Sequence, residues 1–395
     1  MESQRTIEPA YLEFCREVLS IRSLSGEERQ VASFLMDGMR RAGFDEVVSD
    51  RYGNIIGTVK GSATGPVVVL EGHMDTVPVP APEQWKHAPF ESVVADGKLY
   101  GRGAADMKSA LCAMIWAIGD LLNAGWRPSG DVHVVGVVYE EVFEGIAFGK
   151  ALDALRPDFV ILGEATELQV YTAQKGRAEI VLETFGKNAH SANPEKGVNA
   201  ADALVRLLSR VRELPCPSDS LVGDGLMVLT DIKSLPYPGK SVIPHLAKAT
   251  YDRRLIVGET ENNVLAPIQD IIDNLAITDE TFSARALIAS DEQVCYTGER
   301  IGGRRFFPAW SLDRSHQLAR CAIDAVGQVT GVQESVGSYY FCTDGSESAG
   351  RRDIATIGIG PSSQKLAHVT DEYVPLDHLV KVRAIYAQAL INLYA

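Results

Sequence analysis

Short apolar runs rich in β-branched residues alternate with helical periodicity along the first half of the chain. Over 8–43, Leu12, Cys15, Val18 and Leu19, then Val31, Phe34, Leu35 and Met39, recur at the three- and four-residue spacing of amphipathic helices. Ser25, ahead of Glu27-Glu28, reads as the N-cap of the second helix. Val47 to Lys60 predicts a strand, a turn at Tyr52-Gly53-Asn54, and a strand. Val67-Val68-Val69-Leu70, Val132 to Tyr139 and Phe159-Val160-Ile161-Leu162 predict further strands, separated by helical stretches near 108–123 and 144–154. That alternation is the pattern of an α/β sheet with parallel strands.

After Gly176 the pattern changes. Ala178 to Phe185, Leu226 to Leu235, Leu246 to Ile256 and Thr281 to Ile288 predict strands, with helices from Val198 to Glu213 and Thr260 to Leu275. The order β-α-β-β-α-β is that of a ferredoxin-like α+β unit, and about 110 residues is enough for an independent domain. Helical and strand segments resume from Ser311, with Ala355 to Gly360 as the last core strand. The expected organisation is therefore an α/β domain from 1–177 and 290–395, with 178–289 inserted into it.

Composition narrows the classes of partner. A formal net charge of −14 opposes binding to nucleic acid or to an anionic membrane. No apolar run reaches the length of a membrane span. Glu2, Arg5, Glu8, Glu13 and Glu17 break up the start of the chain, which lacks the pattern of a signal peptide. The six cysteines have no CxxC spacing, so free thiols in a reducing cytoplasm are expected.

The chemistry gathers at the ends of the predicted strands. Glu71-Gly72-His73-Met74-Asp75 follows one strand, Glu140-Glu141 another, and Glu164 a third, while Asp106 follows Gly101-Arg102-Gly103 and precedes a helix. Ligands of α/β sheets bind outside such strand ends. Taken singly, a His at a strand end is most often structural, and an adjacent Glu pair is most often a solvated loop. Taken together, several acids at one sheet edge repel each other unless cations neutralise them. A bound metal pair roughly 3.5–4 Å apart removes that cost, and one carboxylate can bridge it. Mixed His and carboxylate ligation suits zinc, with cobalt or manganese able to substitute. A carboxylate at Asp75 could hold the other nitrogen of His73 in the right tautomer. Gly101-Arg102-Gly103 does not fit a phosphate loop.

The segments His73-Met74-Asp75-Thr76-Val77-Pro78, Gly101 to Lys108, Glu140-Glu141 and Gly163-Glu164-Ala165-Thr166 resemble the M20 metallopeptidases. That family includes acetylornithine deacetylase, succinyl-diaminopimelate desuccinylase and glutamate carboxypeptidase. The likeness continues through Gly186 to Ala192 and Gly197-Val198-Asn199-Ala200 and ends at Ala367-His368-Val369-Thr370-Asp371-Glu372. Lys175-Gly176-Arg177 and Asp252-Arg253-Arg254 are most similar to the YgeY-type hydrolases within it.

The resemblance implies a zinc-peptidase-like α/β catalytic domain with an inserted lid and dimerisation domain. It implies two divalent metal ions per chain, zinc first, with His73 and Glu164 on one, Glu141 and His368 on the other, and Asp106 bridging. Glu140 would be the general base on a metal-activated water, and Asp75 the partner of His73. His190 would polarise the scissile carbonyl, often from the partner subunit of a homodimer. Arg254 would bind a substrate carboxylate, unless it merely pairs with Asp252. Arg177, Ser241 and Gly360 are further substrate-side candidates, with Ser241 standing where the family often has Asn before Val-Ile-Pro. Thr343-Asp344-Gly345 and the turn Gly358-Ile359-Gly360-Pro361 are expected to offer backbone groups near the substrate.

Residues 296–310, rich in Arg and aromatics, could shape a specificity pocket or form a packed connector. The expected activity is cleavage of the amide of an N-acyl or N-carbamoyl amino acid or a short dipeptide, a small molecule with a free carboxylate. An aminopeptidase or dipeptidase acting on free peptides is the enzymatic alternative. A non-catalytic binding protein of the same fold is the alternative from another class.

Overall fold

The computed structural model describes residues 7–332 and 336–395. Residues 1–6, on which part of the reading of the chain start rests, lie outside the described residues. The chain divides into two compact units, one of Met1–Gln174, Glu292–Gly302 and Ser311–Ala395, the other of Lys175–Asp291 and Gly303–Trp310. Residues 303–310 thus belong with the second unit, although the sequence placed them in the first. The reason is pairing: Phe306 and Phe307 lie antiparallel to Ala178 and Arg177, and both phenylalanines are buried.

In the first unit, Val68–His73 runs parallel to Val132–Val137 on one side and to Phe159–Leu162 on the other. Phe159–Leu162 is in turn parallel to Ala355–Gly358. The strands are buried along almost their whole length, which explains why they read as continuous apolar runs rather than alternating ones. Parallel pairing puts four C-terminal strand ends at one edge. The helix Lys108–Asn123 is buried on almost every face. Leu111, Met114 and Ile118 are each 0% exposed, so each contributes roughly 1.5–3 kcal/mol by leaving water.

Ser25 does not cap the second helix. Glu28 occupies the N-cap position of Arg29–Ala42 without a side-chain cap bond, and the Ser25 hydroxyl donates instead to Asp75 Oδ2, at 2.6 Å.

The second unit is an antiparallel sheet in the spatial order Leu226–Leu235, Leu246–Leu255, Gly176–Phe185, Ser283–Ile288. That is the ferredoxin-like arrangement. Helices Ala200–Val211 and Glu261–Thr278 bury Leu204, Leu207, Ile268 and Ile272 in a core with Ile180, Leu182, Ala249 and Tyr251 from the sheet. Asn199 caps the first helix by accepting from the N–H groups of Ala201 and Asp202, and Thr260 with Asn263 forms a capping box on the second. Among the described residues no helix is long and apolar enough to cross a membrane.

Candidate metal centre

Register decides what reaches the sheet edge. His73 is the last residue of its strand and lies opposite Val137, while Glu71 lies opposite Leu162. The chain after Leu162 therefore needs only two more residues to deliver Glu164 beside His73, whose Nε2 is 3.6 Å from Glu164 Oε1. Asp106 arrives from a separate loop, after a turn in which Gly103 takes φ +83°, a conformation that costs glycine little.

Asp106 then stands between two imidazoles. Its Oδ1 is 2.8 Å from His73 Nε2 and its Oδ2 is 3.2 Å from His368 Nε2. His368 Nε2 is also 2.9 Å from Glu141 Oε2. His73, Asp106 and Glu141 bring ligand atoms within 4.8 Å of one another, and so do His73, Glu140 and Glu164. Buried oxygens and imidazole nitrogens converging in this way fit divalent cations. Glu140 thus lies within ligand range on the His73 and Glu164 side, although the resemblance implies the role of base for it rather than that of ligand.

Asp75 acts differently from the expectation. His73 Nδ1 meets the backbone carbonyl of Asp75 at 2.8 Å, whereas the nearest Asp75 carboxylate oxygen is 3.7 Å away. That carbonyl fixes the imidazole with Nδ1 as donor and leaves Nε2 for a ligand. The carboxylate instead accepts from the N–H of Glu140 at 3.1 Å, the N–H of Glu141 at 3.2 Å and the Ser25 hydroxyl. It caps the short helix Glu140–Phe143. Tyr139, ahead of that helix, is left-handed at φ 57°, and its N–H donates to Glu28 Oε1 at 3.3 Å. Glu140 and Glu141 therefore open a helix turn, and the Glu140 side chain is neither solvated nor loose, at 7% exposure. Ser25 and Glu28 are the residues that sequence reasoning missed here; Glu28 is fully buried although flanked by exposed neighbours.

The electrostatics explain why the site calls for cations. Burial raises the carboxyls of Glu140 and Glu164 well above the usual range, and burial with the Asp106 charge raises Glu141. Burial alone would raise Asp106 too, but hydrogen bonds from His368 and His73 outweigh it and hold that carboxyl low. His368 is pushed up to about 10 by its hydrogen bonds to Asp106 and Glu141. Cations bound among these groups would displace protons from the imidazoles.

Two other expectations change. Gly360 spends its N–H on Thr166 Oγ1 at 3.0 Å, so it is not a free donor to a substrate. A Cβ there would come within 2.2 Å of the Gly163 carbonyl oxygen and 2.3 Å of the Glu164 one; the glycine lets the chain lie against the segment that presents Glu164. Asp344 is 2% exposed, and burial pushes its carboxyl up to about 7. It lies inside the first unit rather than offering backbone to a ligand, and Gly345 N–H donates to Thr343 Oγ1.

The second unit gathers its candidates in two places. Exposed His190 forms a bridge with Val242, and its Nδ1 accepts from Ala192 N–H at 3.0 Å. Ser241 lies alongside, its carbonyl accepting from Ser191 N–H. Arg177 and Arg254 face each other across paired strands and share Asp252, with Arg177 Nε 2.8 Å from Oδ2 and Arg254 Nε 2.8 Å from Oδ1. The 296–310 stretch is packed in part: the Tyr296 hydroxyl donates to the Gly53 carbonyl, Arg305 pairs with Glu179 and Phe307 is 1% exposed, while residues 297–300 and Arg304 are exposed.

Imidazole and carboxylate groups gathered at the ends of parallel strands fit a metal-dependent hydrolase. The chain belongs to peptidase family M20/M25/M40, whose pattern matches residues 69–392. It is similar to the uncharacterized protein YgeY of Escherichia coli strain K12, at 28% identity over 98% of this chain and 95% of that protein. It is also similar to acetylornithine deacetylase of Proteus mirabilis strain HI4320, at 31% identity over 97% of each. Among solved structures, aminopeptidase PepT from Bacillus cereus ATCC 10987 shares the fold at a TM-score of 0.76 and 18% identity, covering 99% of this chain and 100% of that one. The chain is accordingly a metallo-hydrolase of amide bonds.

Proposed function

We propose that the chain removes an acyl or carbamoyl group from the nitrogen of an amino acid, or splits a short dipeptide, at a centre holding two zinc ions. The observation that carries the reading is Asp106, each of whose oxygens meets a different imidazole, His73 at 2.8 Å and His368 at 3.2 Å. His73 and Glu164 would hold one ion, Glu141 and His368 the other, and Asp106 both. The ions, when bound, supply Lewis acidity and lower the pKa of water. Glu140 takes the proton of the attacking water and passes it to the leaving nitrogen. Asp75 holds that base through the backbone of Glu140 and Glu141. His190 donates to the developing oxyanion. Arg254, with Arg177, meets the substrate carboxylate in a forked contact. Six free cysteines accord with the reducing cytoplasm, where we place the enzyme.

The test is a panel of N-acetyl, N-succinyl and N-carbamoyl amino acids and of dipeptides, offered to zinc-reconstituted protein. The best substrate is expected among the N-blocked amino acids. For that substrate Arg254→Ala should mainly raise KM, and His190→Ala should lower kcat by roughly 10²–10³-fold, as for a lost oxyanion donor. Highest kcat/KM on peptides with a free amino group would favour the aminopeptidase reading, in line with the PepT fold. No turnover anywhere on the panel would sink the deacylase reading.

The second unit is also where we place a homodimer contact. Leu226–Leu235 is an edge strand that exposes Leu226, Val228 and Ile232, and open edges invite pairing. Beside it runs a groove of about 440 Å³ lined by Leu204, Val205, Leu208, Ile232 and Tyr237. Light scattering at micromolar concentration should give twice the chain mass, and Ile232→Asp should shift it toward the monomer. A fully active wild-type monomer would refute the contact.

A further inference from the structure

The two halves of the proposed centre are built differently. His73 ends a central strand, and Glu164 follows another whose backbone is backed by Gly360. Asp106 and His368 come from loops, and the His368 side chain is 53% exposed. Their relative position has to be set by something other than the sheet.

Glu372 is that something. It is four residues beyond His368 and 0% exposed. Its Oε1 accepts from the N–H of Ala105 at 2.7 Å and from the N–H of Asp106 itself at 3.0 Å. Its Oε2 is 2.6 Å from Arg102 Nη1, which offsets part of the cost of burying the carboxylate, and its carbonyl accepts from Gly101 N–H at 3.0 Å. Immediately beyond, Tyr373–Pro375 pairs with Lys98–Tyr100, Tyr373 facing Tyr100. One residue therefore grips the turn 101–106 at both ends and in the middle, from the segment that carries His368. A carboxylate can accept two N–H bonds and a guanidinium at once, and a buried acid with that set of partners is a fixed point rather than a mobile one.

We propose that Glu372 is a positioning residue that holds Asp106 and His368 at one separation, so that the ion position at Asp106, Glu141 and His368 depends on it far more than the position at His73 and Glu164 does. This rests on the two-ion reading above. It makes Glu372 a determinant of metal occupancy without touching an ion. Removing it leaves the strand-borne ligands His73 and Glu164 in place, whereas the loop-borne pair loses its common reference. Outer partners of metal ligands are typically worth about 10–100-fold in affinity.

The experiment compares wild type, Glu372→Asp and Glu372→Gln. Ions are stripped, zinc is titrated back against a chromogenic chelator, and both dissociation constants are read. Circular dichroism and melting of the ion-free chains check folding. Glu372→Asp keeps the charge opposite Arg102 but is one methylene too short for the two N–H groups. It is expected to weaken the ion at Asp106, Glu141 and His368 by about 10–100-fold and the ion at His73 and Glu164 clearly less, because Asp106 belongs to both positions and His368 to one. Glu372→Gln keeps the reach and the Oε1 acceptor but sets an amide donor against the Arg102 donor, so it is expected to melt lower while holding the two ions less unequally than Glu372→Asp does. A Glu372→Asp chain that binds both ions with wild-type affinity, or weakens both alike, overturns the proposal. Should Glu372→Gln not fold, the split between the two ions in Glu372→Asp still decides it. A wild-type chain that takes up fewer than two ions sinks the two-ion reading itself, before any variant is compared.

Discussion

Glu140→Ala is expected to lower turnover by roughly 10²–10⁴-fold or more, the range for loss of a positioned general base, while the chain keeps both metal ions. Two observations support a large effect. Glu140 is 7% exposed, so bulk water cannot easily stand in for it as proton acceptor. Its backbone is held by Asp75 Oδ1 at 3.1 Å, so the side chain starts from a fixed point. Burial raises the pKa of its carboxyl well above the usual range, the direction a base poised near neutral pH requires. Metal content and kcat have to be measured on the same sample, because Glu140 also comes within ligand range beside His73 and Glu164. A variant that loses an ion along with activity would make Glu140 a ligand rather than the base. Near-normal turnover would refute both roles.

Asp106→Ala should abolish ion uptake at both positions together with activity. Its two oxygens are the shared element between His73 and His368, so its deletion removes a contact from both sides. The remaining acids Glu140, Glu141 and Glu164 would still face one another at the sheet edge, but without the group that spans them. The readout is ions bound per chain after dialysis, with Asp106→Asn as the companion variant that keeps shape and loses charge. Two ions retained by Asp106→Ala would mean that the centre is not bridged at this residue.

Much of this arrangement could be read from the amino-acid order, for identifiable reasons. Parallel strands buried on both faces demand continuous Val and Ile runs, and those runs pointed to the edge where His73, Glu140 and Glu164 emerge. The second unit was legible because its helices are amphipathic and its strands long. What failed was wherever a distant partner overrode a local pattern. Ser25 ahead of two glutamates looks like a cap, but its hydroxyl finds the buried Asp75 carboxylate fifty residues away. The His-x-Asp spacing suggested carboxylate to imidazole, yet the chain turns so that the Asp75 carbonyl arrives first. His368 is an exposed residue at φ 63° in a loop, and no periodicity singles out such a position; only resemblance named it. Gly360 drew attention as a backbone donor, but its missing Cβ, and not its N–H, is what the fold uses.

The course of the chain between the units also limits how such an enzyme can be re-engineered. It crosses after Gln174, Asp291, Gly302 and Trp310, four times rather than the two of a simple insertion. A transplant of 175–291 alone would leave Phe306 and Phe307 behind and open a hole beside Ala178, at about 3–5 kcal/mol for each lost phenylalanine. The smallest exchangeable cassette is therefore 175–310, and it must carry 292–302 with it. That passenger includes Val294, whose carbonyl accepts the Tyr139 hydroxyl at 2.9 Å, and Tyr139 is the residue before Glu140, the base we propose. Swapping in a foreign ferredoxin-like unit thus also replaces a brace of the catalytic turn.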